Sequence, residues 1–138
     1  MRKNIRQHRR RGAIQSLELI LVLPIFAIAV AGTVECCLML WTKQKLQLAS
    51  WNACRVVAGP GNSEKLEVAA RRVAHETIGD ESWNDAAEVL ICAGLYTGDR
   101  VSVEVRAPAD RAVPNWLGGL GLSLNQQSLT ASTVMRKE

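Results

Sequence analysis

Six cations, Arg2, Lys3, Arg6, Arg9, Arg10 and Arg11, precede Gly12-Ala13 and then a long apolar run from Ile14 to Trp41. No other feature of the chain restricts its fold so strongly. The run holds 28 residues and only two charges, Glu18 and Glu35. As a helix it would measure ~42 Å at about 1.5 Å per residue, against a hydrocarbon core of ~30 Å. It is therefore long enough to cross a bilayer and protrude. Pro24 would kink a soluble helix, but membrane helices tolerate proline where neighbours satisfy the freed carbonyl. Trp41 and Lys43 close the run as an interfacial anchor pair.

The sequence divides into a cationic leader over 1–13, a transmembrane helix over 14–41 and an extracytoplasmic domain over 42–138. Cations beside the first apolar segment stay in the cytoplasm, which puts the C-terminal domain outside. The expected location is the inner (cytoplasmic) membrane, with a pilus or cell-surface destination open. Beyond the leader the chain carries 11 basic and 13 acidic residues, a net charge of −2. A nucleic-acid partner needs a basic face on the folded domain, so none is expected.

A cleaved secretory signal competes with a retained helix. Ala29-Val30-Ala31 is a small-x-small site behind the apolar core Leu19–Ile28. Cutting there would leave two adjacent cysteines near a new N-terminus and an acid at the head of the apolar core. A lipoprotein signal is set aside, because Glu35 rather than a small residue precedes Cys36.

Glu18 has two readings. At a membrane edge its carboxylate snorkels to the interface at little cost. Deeper in, a carboxylate is expensive and marks a function. Ala27 and Ala31, four apart with Gly32 beside them, would let helices approach closely in lipid.

The stretches Arg10-Arg11-Gly12-Ala13, Leu17-Glu18-Leu19 and Leu21-Val22-Leu23-Pro24 resemble the N-terminus of TadE-like proteins, the minor pilins or pseudopilins of the tight adherence (Flp-type) pilus system. Gly32 and Glu35 resemble the small residue and second acid of that family's helix. Gln44 to Ala58, with Ala49, Ala53, Arg55 and Ala58, is similar to its alanine-rich stretch. Gly98 to Val105, Trp116 to Leu120 and Leu129 to Arg136 resemble its C-terminal strands.

The resemblance implies cleavage by a prepilin peptidase at Gly12 or Ala13. A cut after Gly12 makes Glu18 the sixth mature residue, and a cut after Ala13 makes it the fifth. It also implies that Glu18, with Glu35, serves assembly and registration. A buried carboxylate would meet a neighbouring subunit's N-terminal amine, and pairing offsets its desolvation. The implied partners are the inner membrane, the peptidase, other pilus subunits and secretion-platform proteins.

Beyond the run, Leu46, Ala49, Ala53 and Val56/Val57 recur at helical spacing and predict a buried stripe. Gly59-Pro60-Gly61 stops that helix. Asn62 or Ser63 caps a second helix, with Leu66, Ala69/Ala70, Val73 and Ile78 as its apolar face, ending at Gly79-Asp80. After Trp83 the period changes to two. Val89, Ile91 and Ala93 predict one strand and Val101, Val103 and Val105 a second behind a Thr97-Gly98-Asp99 turn. A third covers about Gln127 to Met135. The fold class is α+β: a long N-terminal helix, a second helix and an antiparallel sheet of about three strands. Between Pro108 and the last strand, the apolar Trp116–Leu120 loop is either a membrane or subunit contact or a core cover.

So small a domain has little core. A Cys54–Cys92 disulfide, joining the two cysteines of the polar body, would add ~2–4 kcal/mol. No zinc spacing is present, and Asp80, Glu81, Asp85 and Glu88 form an acidic loop without EF-hand spacing, so no metal or cofactor is expected. No G-x-S-x-G, H-E-x-x-H or phosphate loop occurs. The chain is expected not to be an enzyme, an unfamiliar exported hydrolase being the remotest reading. A pilus subunit or assembly factor comes first. A single-pass anchored interaction domain outside any filament is the alternative.

Overall fold

The computed structural model describes residues 3–94, 96, 98–121, 124 and 127–137, with side chains from Glu18 onward except those of Leu117 and Leu120. Arg2 and Thr97 lie outside the described residues, as do the side chains of Gly12, Ala13 and the rest of the leader. The elements in chain order are α1 (Lys3–Ala58), α2 (Ser63–Ile78), a 3-10 turn at Asn84–Ala86, β1 (Glu88–Ala93) and β2 (Arg100–Pro108). A four-residue helix α3 (Ala109–Ala112), a 3-10 turn at Leu117–Leu120 and β3 (Ser128–Arg136) complete them. The chain forms two compact units, Met1–Val34 and Glu35–Glu138, the second called the body below.

The body is an α+β layer. Its sheet runs in the order β1-β2-β3, antiparallel throughout. Val101, Val103 and Val105 are wholly or almost wholly buried, while Arg100, Ser102, Glu104 and Arg106 face the other way. This is the period-two pattern of a strand with one covered face.

The cover is α1. Leu46, Ala49, Ala53 and Val57 form one helical stripe, each at most 1% exposed. Ser50, also fully buried, donates from Oγ to the Val103 carbonyl at 2.8 Å and lies 2.9 Å from Thr133 Oγ1 of β3. Gln47 donates to that same Thr133 hydroxyl at 3.0 Å. A buried hydroxyl without partners would oppose folding, so these contacts let a polar residue sit in the stripe.

Gly59-Pro60-Gly61 ends α1 as expected. The Asn62 side chain caps α2 by accepting from the Glu64 N–H at 3.0 Å. Ala70, Ala74 and Ile78 are the buried residues of α2. Gly79 follows at φ +79, a left-handed position that suits glycine. Asn84 fastens this end. Its Nδ2 donates to the carbonyls of His75 (3.1 Å) and Gly79 (2.8 Å), and its Oδ1 lies 2.7 Å from His75 Nδ1. The half-buried His75 is thus a positioning residue for the turn. Trp83, which in the sequence marks only a change of period, is 3% exposed in the core.

The disulfide expectation is corrected here. Cys54 and Cys92 are both free thiols. Cys54 is buried beneath the sheet, its sulfur 3.7 Å from the Val101 carbonyl and 3.6 Å from that of Thr133. Cys92 is exposed and pairs in register with Ser102, whose side chain belongs to the opposite face from Val101 and Val103. The sheet stands between the two sulfurs. Native protein should therefore alkylate quickly at Cys92 and, of this pair, show Cys54 reactive only after denaturation. Mass spectrometry of peptides after timed alkylation checks this, and a linked 54–92 peptide would overturn it.

A second small core was not legible in the sequence. Ala109, Val113 and Leu124 are buried together, with Leu38 and Met39 of α1 packed against them. Leu38 and Met39 look like membrane residues in the sequence, and a four-residue helix is too short to show a period.

Candidate functional site

The N-terminal unit exposes its apolar side chains. From Leu19 to Phe26 every large hydrophobic residue is at least 51% exposed, and Ile28, Val30 and Val34 remain exposed. Pro24 lies within the helix, where it removes one backbone donor. Thr33 satisfies its hydroxyl locally, donating to the Ala29 carbonyl at 2.8 Å. Among the described residues, one helix is long and apolar enough to cross a membrane, within Glu18–Ala58. A helix that leaves its large apolar side chains uncovered suits lipid better than water.

Glu35 is 3% exposed and Thr42 4%, while Leu38 and Met39 are half-buried, so the last part of the apolar run belongs to the body. The share of the run that falls in the N-terminal unit, 14–34, is 21 residues. That is ~32 Å as a helix, close to one hydrocarbon thickness.

The predicted residues separate accordingly. Gly12 and Ala13 lie within the backbone bounds of α1. Glu18 is exposed on the helix surface, as is Ala27, whereas Ala31 and Gly32 are half-buried. Glu35 is buried in the body and engaged there. The two acids therefore occupy different settings, one on the open helix and one in a packed unit. Trp41, at 62% exposed, and Lys43 lie on the surface of the body.

Residues 14–55 match a family model described as TadE-like protein. This segment is TadE-like. No curated protein and no solved structure matches the chain. The TadE-like segment takes in the exposed helix, Glu18, Glu35 and the alanine stripe up to Arg55. The strands from Gly98 onward, which resemble the family's C-terminal strands, lie beyond it. The TadE-like segment thus supplies both the candidate membrane anchor and the helix on which the sheet is packed.

Glu81 forms an ion pair with Lys45 of the TadE-like helix, tying the turn after α2 to α1. Among the described residues, no group of three or more His, Cys, Asp or Glu side chains is placed to hold a metal ion. On the outer sheet face, Arg106 donates to Glu104 at 2.8 Å and holds that carboxyl below its ordinary range. Such exposed pairs add little stability. Trp116 is 56% exposed at the start of the loop that the sequence left open between contact and cover.

Two features that the sequence did not single out lie on the body. One is the outer edge of β3. The other is a cavity beside Trp51 and Arg55. The Arg55 guanidinium carbon sits 5.0 Å from the Trp51 ring centroid. Their i,i+4 spacing was the available signal, because residues four apart share a helix face.

Proposed function

We propose that this chain is a minor pilin-like subunit or assembly factor of a tight adherence pilus. It is held in the inner membrane by residues 14–34, with its body on the outer side. A prepilin peptidase removes the leader at Gly12 or Ala13. The observation that carries this reading is the coincidence of the TadE-like segment with an uncovered apolar helix of one membrane thickness that begins next to Arg9-Arg10-Arg11. Its partners are other pilus subunits and secretion-platform proteins. We assign it no catalytic step and no nucleic-acid partner. His75 is engaged by Asn84 and Glu81 by Lys45, so both act within the fold.

Intact-mass measurement of membrane-extracted protein tests the processing. The expected mature chain begins at Ala13 or Ile14. A start at Gly32 would point to an ordinary signal peptide and remove the anchor. An intact leader would favour the alternative, an anchored interaction domain that does not enter a filament.

A further inference from the structure

The two edges of the sheet have different fates. Lys137 N–H donates to the Asp99 carbonyl at 2.9 Å, and Ala109 N–H donates to the Gln127 carbonyl at 2.9 Å. These bonds bracket the β2–β3 ladder and fix its phase. Val101/Met135, Val103/Thr133, Val105/Ala131 and Ala107/Leu129 are then the hydrogen-bonded pairs. It follows that Ser128, Thr130, Ser132, Val134 and Arg136 turn their N–H and C=O groups away from β2. All five side chains are exposed, and β3 is the last strand of the sheet. At the opposite edge, the outward set of β1 is Val89, Ile91 and Ala93. Arg71 of α2 caps it, donating to the Val89 carbonyl at 2.6 Å.

Free edges are usually blunted by charge, proline, a bulge or a covering element. Ser128 to Met135 contains no charged residue, no proline and no glycine. Beside the C-terminal half of β3 lies a cavity of about 400 Å³ lined by Trp51, Arg55, Ala58, Gly59, Met135 and Arg136. No acid lines it. Among the described residues neither Arg55 nor Arg136 has an ion pair. Arg100 stands directly opposite Arg136 in the register, so no acid faces Arg136 across the strand pair.

We propose that the free edge of β3 and this cavity together bind an extended segment of another protein by strand addition, with a carboxylate of that segment entering the cavity at Arg55 and Arg136. The backbone row supplies affinity, and the cavity supplies side-chain selection. Charge complementarity selects an acidic segment, because Arg55 and Arg136 both line the cavity and, among the described residues, no acid does. A second copy of this chain fits less well. Its own β3, from Ser128 to Arg136, carries no acidic residue to offer the cavity. The inference rests on the body alone and stands whether or not the leader is processed.

The test uses the full chain in detergent micelles, challenged with a phage-displayed library of linear peptides. Selected peptides should alternate β-branched residues and carry Asp or Glu. Ser132→Pro removes one outward N–H and spares every β2 bond, a position where edge strands accept proline. Binding of a selected synthetic peptide should weaken about tenfold in that variant, and similarly in Arg55→Ala, while circular dichroism stays unchanged. Independently of any variant, N-methylation of alternate peptide residues should abolish binding to wild type for one alternating set and spare it for the other. The absence of binders, a basic consensus, or equal effects of the two methylated sets would overturn the proposal. Dimerisation lost in Ser132→Pro, with no peptide bound, would overturn the occupant and assign the edge to a second copy.

Discussion

Val103→Asp is expected to leave the body unfolded, whereas Ser102→Asp, one residue earlier, is expected to leave it folded. Val103 is 0% exposed at the centre of the sheet, beneath the α1 stripe. Its replacement forfeits ~1.5–3 kcal/mol of side-chain burial. It also places a carboxylate where the nearest polar groups, the Val103 carbonyl and Ser50 Oγ, are already joined to each other. An unpaired buried charge costs several kcal/mol more. A domain of this size is held by only about 5–15 kcal/mol in total. Ser102 lies on the outer face opposite Cys92 and Val134, where aspartate stays hydrated and costs only its poor strand propensity, under ~1 kcal/mol. Trp83 gives the readout, since it is buried while Trp41, Trp51 and Trp116 are exposed. Quenchable, red-shifted Trp83 fluorescence is expected only for Val103→Asp. A native-like emission and melting profile from that variant would mean that β2 is not the covered strand.

That contrast also shows why this fold was largely legible. Val101, Val103 and Val105 alternate without interruption, and a one-residue slip would expose all three. Leu46, Ala49, Ala53 and Val57 keep a helical period just as cleanly, and Gly59-Pro60-Gly61 and Gly79 mark the stops. Local pattern and tertiary burial agree at these positions, so sequence reasoning succeeds.

It fails where one residue type suits two solvents. Leu38 and Met39 are as apolar as Leu21 or Ile25, yet they pack against Ala109, Val113 and Leu124. No local rule separates an exposed leucine of such a helix from a core leucine, so the boundary between the exposed helix and the body was hidden inside an unbroken apolar run. The cysteines mislead for a related reason. Being alone in the polar body suggests that Cys54 and Cys92 pair, but strand alternation places Cys92 opposite Ser102, on the face away from Cys54. Pairing requires three-dimensional proximity, which a count of cysteines does not contain. The β3 edge was hidden too, because which backbone groups stay unpaired depends on strand order and on the phase of the ladder.

Glu18→Ala is expected to insert normally and to assemble poorly. Glu18 is exposed on the N-terminal helix, ~6 Å along from Ile14. At a membrane centre its carboxylate would oppose insertion by up to ~3 kcal/mol, and near an edge by less, so alanine should ease insertion. Impaired assembly would then reflect a lost contact and not a lost anchor. The contact expected is with the amine that leader removal creates on a neighbouring subunit. Removing one partner of a buried ion pair strands the other at a cost of ~3–5 kcal/mol, far more than an exposed pair contributes. Recovery in sheared filaments, or crosslinking to other pilus subunits, should therefore fall at least about tenfold at equal membrane abundance, a factor that needs only ~1.4 kcal/mol. Glu18→Asp, with the charge kept and the reach shortened, should fall between the two. Glu35 makes a useful contrast, because it is buried within the body. Glu35→Ala should lower the melting temperature of the body, an effect that Glu18→Ala should not share. Equal recovery of Glu18→Ala and wild type in both assembly assays would reduce Glu18 to an interfacial residue, while leaving the pilin assignment to be judged on the mature N-terminus.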